Sequence, residues 1–216
     1  MRSWPSGWNG TAPLWEPPAP ELAELRSLVT RRDALERMRT QEINRLHVSR
    51  AEVRQSVERH VAYLEREIKD IDAEIRQKTD GDANLKKQRE LLDSIPGLGV
   101  KTIPALLSFF SGKRFGSSRQ AAAYAGLDPR QHESGSSVRR KPGISKMGHV
   151  FLRKTLCMPA MAAVTRTQWD KAFKARLAAN GKSPMVIICA MMRKLVHVAV
   201  GVLKSGKMFD PALHGA

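Results

Sequence analysis

Apolar residues recur along most of this chain at the three- and four-residue steps of an amphipathic helix, and glycine- and proline-rich turns break the pattern. From Glu21 to about His47 the apolar positions are Leu22, Leu25, Leu28, Leu35, Ile43 and Leu46. After a break near Val48–Ser49, the residues Val53, Val57, Val61, Leu64, Ile68, Ile71 and Ile75 follow at steps of 4, 4, 3, 4, 3 and 4, with mostly charged residues between them. That is a heptad-like seam, and it predicts either an antiparallel helical hairpin or a coiled coil with a second chain. Ser49 has a glutamate, Glu52, at the capping-box spacing and is the expected cap of the second helix. Asp80-Gly81-Asp82 ends it.

A shorter helix is expected over 84–94, followed by the turn Ile95-Pro96-Gly97-Leu98-Gly99-Val100-Lys101-Thr102. Two apolar helices joined through a Gly-x-Gly step read as a helix-hairpin-helix, whose turn exposes backbone N–H groups to a phosphate. An ordinary tight turn is the plain alternative. Ser118 is placed to cap a short helix over 119–125. Helices over 148–165, interrupted by Pro159, and over 168–179 come next. Ser183 and Pro184 open the last helix, to Leu203, which is expected to bury Val186, Ile187, Met191, Leu195, Val198 and Val202. Met158, Met161, Met185, Met191 and Met192 fall at core spacing. No stretch alternates convincingly as a strand. The fold class is therefore all-α: a long helical hairpin or coiled coil, then a helical domain containing the hairpin-type turn. The domains expected are a disordered tail or remnant over 1–20, rich in Pro and Trp; the hairpin over 21–80; a basic domain over 84–206; and a tail over 207–216.

Charge separates the two halves. The net charge is +16, yet residues 1–93 hold 17 Lys+Arg against 17 Asp+Glu, while 94–216 hold 20 against 4. The balanced half suits protein–protein packing and the basic half suits nucleic acid. No basic amphipathic helix ends the chain, so a membrane surface is not the expected partner. Met185–Leu203 is interrupted by Arg193, Lys194 and His197 and reads as a buried helix. The two cysteines, Cys157 and Cys189, sit in apolar helical patterns and read as buried residues of a protein in a reducing cytosol.

The densest chemistry lies between Tyr124 and Leu156. Arg130, Arg139, Arg140, Lys141, Lys146, Arg153 and Lys154 face only Asp128 and Glu133 there, among four glycines and the hydroxyls of Ser134, Ser136, Ser137 and Ser145. Such a loop can hold a polyanion near hydroxyl oxygens, with Gly97, Gly99 and Lys101 of the hairpin turn as further contacts. A basic surface loop is the plain alternative. His132 and His149 are near in sequence, but neither stands out as a base. After Asp93 only Asp128, Glu133, Asp170 and Asp210 remain, too few and too scattered for a two-metal site.

Several short motifs, in this order and spacing, carry a resemblance: the Ile95–Gly99 turn, Tyr124-Ala125-Gly126-Leu127-Asp128-Pro129, Ser134-Gly135, Ile144-Ser145-Lys146-x-Gly148 and Leu152-Arg153. Together they resemble the C-terminal domain of the insertion-sequence family 110/116/902 transposases, relatives of the Piv/MooV site-specific invertases. The charged hairpin and Trp15-Glu16-Pro17-Pro18 are similar to the middle of those proteins. The resemblance implies DNA as partner, a homo-oligomer, here through residues 21–78, and a structured guide RNA in the insertion-sequence branch. It also implies a nucleophilic serine that attacks a DNA phosphate. Ser134, in the Ser-Gly step before the Arg/Lys cluster, matches that serine best; Ser136, Ser137 and Ser145 are the alternatives. Magnesium belongs, in the family, to an N-terminal RNase H-like domain with four carboxylates. That domain has no counterpart in this sequence, so no cofactor is expected in the chain itself and a truncated polypeptide is. Two functions follow as expectations: a transposase polypeptide contributing a serine to strand exchange, or a catalytically inactive module that binds nucleic acid and oligomerises.

Overall fold

The computed structural model describes residues 19–113, 115–134, 138–167 and 169–214, with the side chains of 131–142 and of His214 outside the description. Helices α1 (Pro20–Val48) and α2 (Ala51–Gly81) form an antiparallel hairpin. Ion pairs fix the direction: Glu24 with Lys78, Arg32 with Asp72, Arg39 with Glu65, and Glu42 with His60, one number rising as the other falls. Of the two arrangements the seam allowed, it folds back on α1 within the chain. Leu64 and Ile75 are buried against it, whereas Val53, near the hairpin tip, is 52% exposed. Ser49 is not the cap. Its hydroxyl donates to the Arg45 carbonyl at 2.7 Å, and Arg50 stands at the cap position with no side-chain bond. The last carbonyls of α1 need a donor as much as the first amides of α2 need an acceptor, and α1 takes the hydroxyl.

Asp82 caps α3 (Ala83–Asp93) by accepting from the Leu85 amide at 2.7 Å. The glycine turn leads into α4 (Thr102–Phe110), in which every residue is buried. A short helix that is apolar all round belongs at the centre of a domain, and α4 lies among α1, α3 and α6. Next come α5 (Ser118–Tyr124), capped by Ser117 rather than Ser118, then α6 (Val150–Arg166), α7 (Lys171–Ala179), α8 (Pro184–Ser205) and α9 (Pro211–His214). Helix α8 is long and apolar enough to cross a membrane by composition. Here its apolar faces pack on α3, α5, α6 and α7, as in the core helix of a folded domain. One continuous apolar cluster runs from Leu22, Leu25 and Val29 of α1 through α4 to Leu195 and Val202 of α8.

The fold is 76% helical with a single two-stranded sheet among the described residues. That sheet departs from the sequence reading. Strands β1 (Pro129–Ser134) and β2 (Val138–Ile144) pair antiparallel, Pro129 opposite Ile144 and Ser134 opposite Val138, with an irregularity between Arg130 and His132. PRQHES and VRRKPGI lack the apolar alternation that betrays a strand lying on a core. The ribbon is held by its backbone ladder, a kind of strand that hydropathy does not detect.

Other expectations fail for a reason of phase. Met158, Met161, Met185 and Val186 are exposed rather than core, while Met191 and Met192 are buried. Met158 lies two residues from buried Leu156 and from buried Ala160, about 200° round the helix from each. Cys157 and Cys189 are half-buried and free. The segment read as a tail docks instead: the Phe209 amide donates to Ser94 Oγ at 2.9 Å, and its ring meets Trp169 edge-on.

Because the seam is an internal one, Leu64→Ala should cost about 2–4 kcal/mol in urea unfolding, the range for truncating a buried leucine. Val53→Ala, at the exposed tip, should change stability by less than about 0.5 kcal/mol. A loss at Leu64 no larger than that at Val53 would contradict the folded-back hairpin.

Candidate nucleic-acid interface

The residues between Tyr124 and Leu156 are organised by a backbone crossing. The chain turns at Gly126, runs out along β1, returns along β2 and passes back over the same turn at Gly148. The Ser145 amide donates to the Asp128 carbonyl at 2.9 Å, the Lys146 amide to Gly126 at 3.2 Å and the His149 amide to Tyr124 at 3.0 Å. At the crossing there is no room for a side chain. A Cβ on Gly148 would overlap the Tyr124 carbonyl oxygen and the Gly126 nitrogen, and would lie 2.7 Å from the Ala125 carbonyl carbon. Gly126 adds a φ of +70°, and Lys146 adopts +58°, rare for a residue with a side chain.

Arg153 closes this crossing from the α6 side. Its Nη1 donates to the carbonyls of Ala125, at 3.1 Å, and Gly148, at 2.9 Å. Ser145 closes it from the hairpin side, its hydroxyl donating to Asp128 Oδ1. Two of the motifs singled out in the sequence, Tyr-Ala-Gly-Leu-Asp-Pro and Ile-Ser-Lys-x-Gly, are thus the two halves of one clasp. It sets the root of the hairpin on which Ser134, Arg139, Arg140 and Lys141 stand. Ser136 and Ser137 lie outside the described residues, and of the other four only the backbone in the strands is described.

The predicted nucleic-acid contacts fall into three groups. Arg153 is spent inside the clasp. Lys101 and Lys154 are held by acids of α1: Lys101 Nζ lies 2.9 Å from Glu36, and Lys154 pairs with Asp33. Burial pushes the Glu36 carboxyl up, but the Lys101 hydrogen bond and the Arg32 charge outweigh it and hold the group below the usual carboxylate range. Arg130 and Lys146 carry no carboxylate partner among the described residues; Arg130 meets only the Met147 sulfur, at 3.6 Å. The glycine turn divides likewise. Gly97, with φ +98°, packs against α6, where a Cβ would meet the Pro159 carbonyl oxygen at 3.3 Å. Gly99 is open, with nothing within 4 Å of a Cβ built there, and Val100 beside it is 69% exposed. Its carbonyl accepts from the Thr102 and Ile103 amides, so α4 begins at this exposed step.

Behind the clasp, His149 packs at a tilt against Tyr124 and edge-on against Phe109, at ring centroid distances of 4.5 and 5.1 Å. Burial, then the charges of Arg26, Lys113 and Arg153, push its pKa down, so the imidazole is neutral near pH 7. Arg26 lies over Phe109 at 3.9 Å and Lys113 over Tyr124 at 5.1 Å. Sequence reasoning missed both cations and the Asp128–Ser145 contact. Arg193 was missed too, having been read as a charge interrupting a core helix. Its Nη1 reaches the Leu127 carbonyl at 3.4 Å, beside the root of the hairpin. Among the described residues, no group of three or more His, Cys, Asp or Glu is gathered as a metal ion would need.

This geometry can be set beside known proteins. Residues 89–175, which include the glycine turn, the clasp and the hairpin, match the family model described as Transposase IS116/IS110/IS902 family. Over that segment the chain is similar to transposases of the IS116/IS110/IS902 family. The chain is 32% identical over 210 residues to the pilin gene-inverting protein of Moraxella bovis, covering 96% of this chain and 65% of that protein. The Moraxella lacunata protein of the same name matches equally. The transposase for insertion sequence element IS1328 of Yersinia enterocolitica is 32% identical over 158 residues, 70% of this chain and 45% of the relative. The chain thus spans just under two thirds of the pilin gene-inverting proteins.

The clasp makes a sharp prediction. Gly148→Ala should cost about 3 kcal/mol or more, since its Cβ meets backbone on both sides and cannot be relieved by a rotamer change. Gly143→Ala, in β2 and open to solvent, should melt within a few degrees of the parent. Comparable melting temperatures for the two variants would rule out the crossing described here.

Proposed function

We propose that this chain is a DNA-recombining polypeptide of the transposase and gene-inverting kind, in which residues 94–216 hold DNA and the hairpin offers Ser134 to a phosphodiester. The observation that carries the reading is the coincidence of the transposase-family match with the clasp: the matched segment is the one that projects a cationic ribbon from a rigid root. The relatives named for pilin gene inversion and for transposition support the same class of reaction.

Ser134 is preferred over Ser145 on chemical grounds. The Ser145 hydroxyl donates a hydrogen bond to Asp128 and holds the hairpin shut, whereas Ser134 stands at the last pair of the ladder, opposite Val138. In the proposed step the serine Oγ forms a bond to phosphorus and the P–O bond to one deoxyribose breaks. The freed sugar oxygen takes a proton, and the serine proton passes to a base or to water. Arg130, Arg139, Arg140, Lys141 and Lys146 would neutralise the phosphate and its neighbours. Lys101 and Lys154 would join only as their pairs with Glu36 and Asp33 open. Such exposed pairs hold by about 1 kcal/mol or less, so a phosphate can displace them. A guide RNA, self-association through 21–78 and the need for a metal-binding partner domain stand as further proposals from the family resemblance.

A second reading, a module that binds nucleic acid without chemistry, is separated by one experiment. The full chain should bind duplex DNA with an affinity that falls about ten-fold or more between 50 and 200 mM salt. Ser134→Ala should leave that affinity within about two-fold, because a neutral hydroxyl adds nothing to the salt-dependent phosphate term. With an intact relative present to complete the reaction, the parent chain should form a serine–DNA link that survives denaturation and that Ser134→Ala abolishes. Salt-independent binding would contradict the DNA reading. Binding without any such link would favour the inactive module.

A further inference from the structure

Between the root of the hairpin and the N-terminal half of α8 lies an open groove of about 650 Å³. Its floor and walls are apolar: Leu127 and Pro129 from the outgoing chain, Ile144 from the returning one, and Met185 and Val186 from α8. Met185 is 62% exposed and Val186 46% exposed, so an apolar face is left in water at the first turn of a helix whose other faces are core. Lys146 and Arg193 also line the groove, and neither has a carboxylate partner among the described residues. Asp128, between Leu127 and Pro129, is taken by Ser145.

An occupant must therefore bring a flat apolar body for the groove and negative charge for the two cations beside it. A nucleotide out of its helix has that form, with a base that stacks on apolar side chains and phosphates on either side. An acidic peptide would meet the charges but has no reason to be seated at the root of the strand bearing Ser134. DNA does: exchanging strands means unpairing bases next to the broken phosphodiester, and the groove opens at the foot of the hairpin that would present the nucleophile. We infer that this groove receives an unpaired DNA base beside the exchanged phosphate. The inference rests on the proposed function and adds to it where the displaced base goes.

The test compares two DNA duplexes of equal length, one fully paired and one with a single central unpaired 2-aminopurine nucleotide, binding to the full chain. The unpaired duplex should bind about ten-fold tighter, the order that one stacked base supplies, and 2-aminopurine emission should change on binding. The double variant Met185→Gln with Val186→Thr, both positions exposed and the charge unchanged, should abolish the preference and the emission change. It should keep the affinity for the paired duplex. Equal binding of the two duplexes would overturn the groove assignment and leave the DNA reading standing, and so would a preference that survives in the double variant. An RNA bulge preferred over the DNA one would overturn the choice of DNA. A fall in the mass of the free protein by light scattering in the double variant would assign the groove to a second copy instead. Failure to bind either duplex would overturn this inference and the proposed function together.

Discussion

Two carbonyls held by one guanidinium bind the basic half together. Arg153, on the first turns of α6, donates to Ala125 and Gly148, residues from the two chain segments that cross at the root of the hairpin. A buried or half-buried arginine is costly to desolvate unless its donors are used, and hydrogen bonds from a charged donor are roughly twice as strong as neutral ones. Glycine at 126 and 148 brings the backbones close enough for one side chain to reach both. The direction of β1, the return of β2 and the start of α6 all follow from that contact.

The clasp also explains how a polar ribbon can be a definite element. An isolated two-stranded hairpin is marginal in water, and this one has few apolar residues with which to pay for its order. Fixing both ends at the crossing and locking them with the Asp128–Ser145 bond removes much of the loop-closure cost. Of the ribbon's cations, Arg130 has no carboxylate partner among the described residues, and Arg139 stands opposite Glu133 in the ladder. Thirteen of the 21 acids are on α1 and α2, where Asp33 and Glu36 pair with Lys154 and Lys101 at the surface. The charge asymmetry of the sequence thus has a structural side: acids of α1 pair with Lys101 and Lys154, while Arg130 and Lys146 at the root of the ribbon have no carboxylate partner among the described residues.

The helices were legible in the sequence because burial imposes a period, and the seam from Val53 to Ile75 and the apolar run of α4 carry it plainly. The side of each helix was less legible where core covers only part of it, so Met185 and Val186 read as core although they line an open groove. The ribbon could not be read, because its order comes from contacts between residues far apart in sequence, as in the pairing of Asp128 with Ser145. For the site, the region was legible from charge and glycine content, but the roles were not. Arg153 read as a ligand of a polyanion and Ser145 as an alternative nucleophile, and both make bonds of the clasp; Gly97 read as an open phosphate contact and packs on α6, and Arg193 was passed over.

Hydrogen exchange of the full chain, with and without saturating duplex DNA, tests most directly whether the clasped ribbon is the DNA-facing element. The account predicts slower exchange across 130–146 and at Gly99–Lys101, with the amides of 51–78 unchanged. Protection confined to α1 and α2, or bound DNA that leaves the ribbon exchanging as in the free protein, would contradict it.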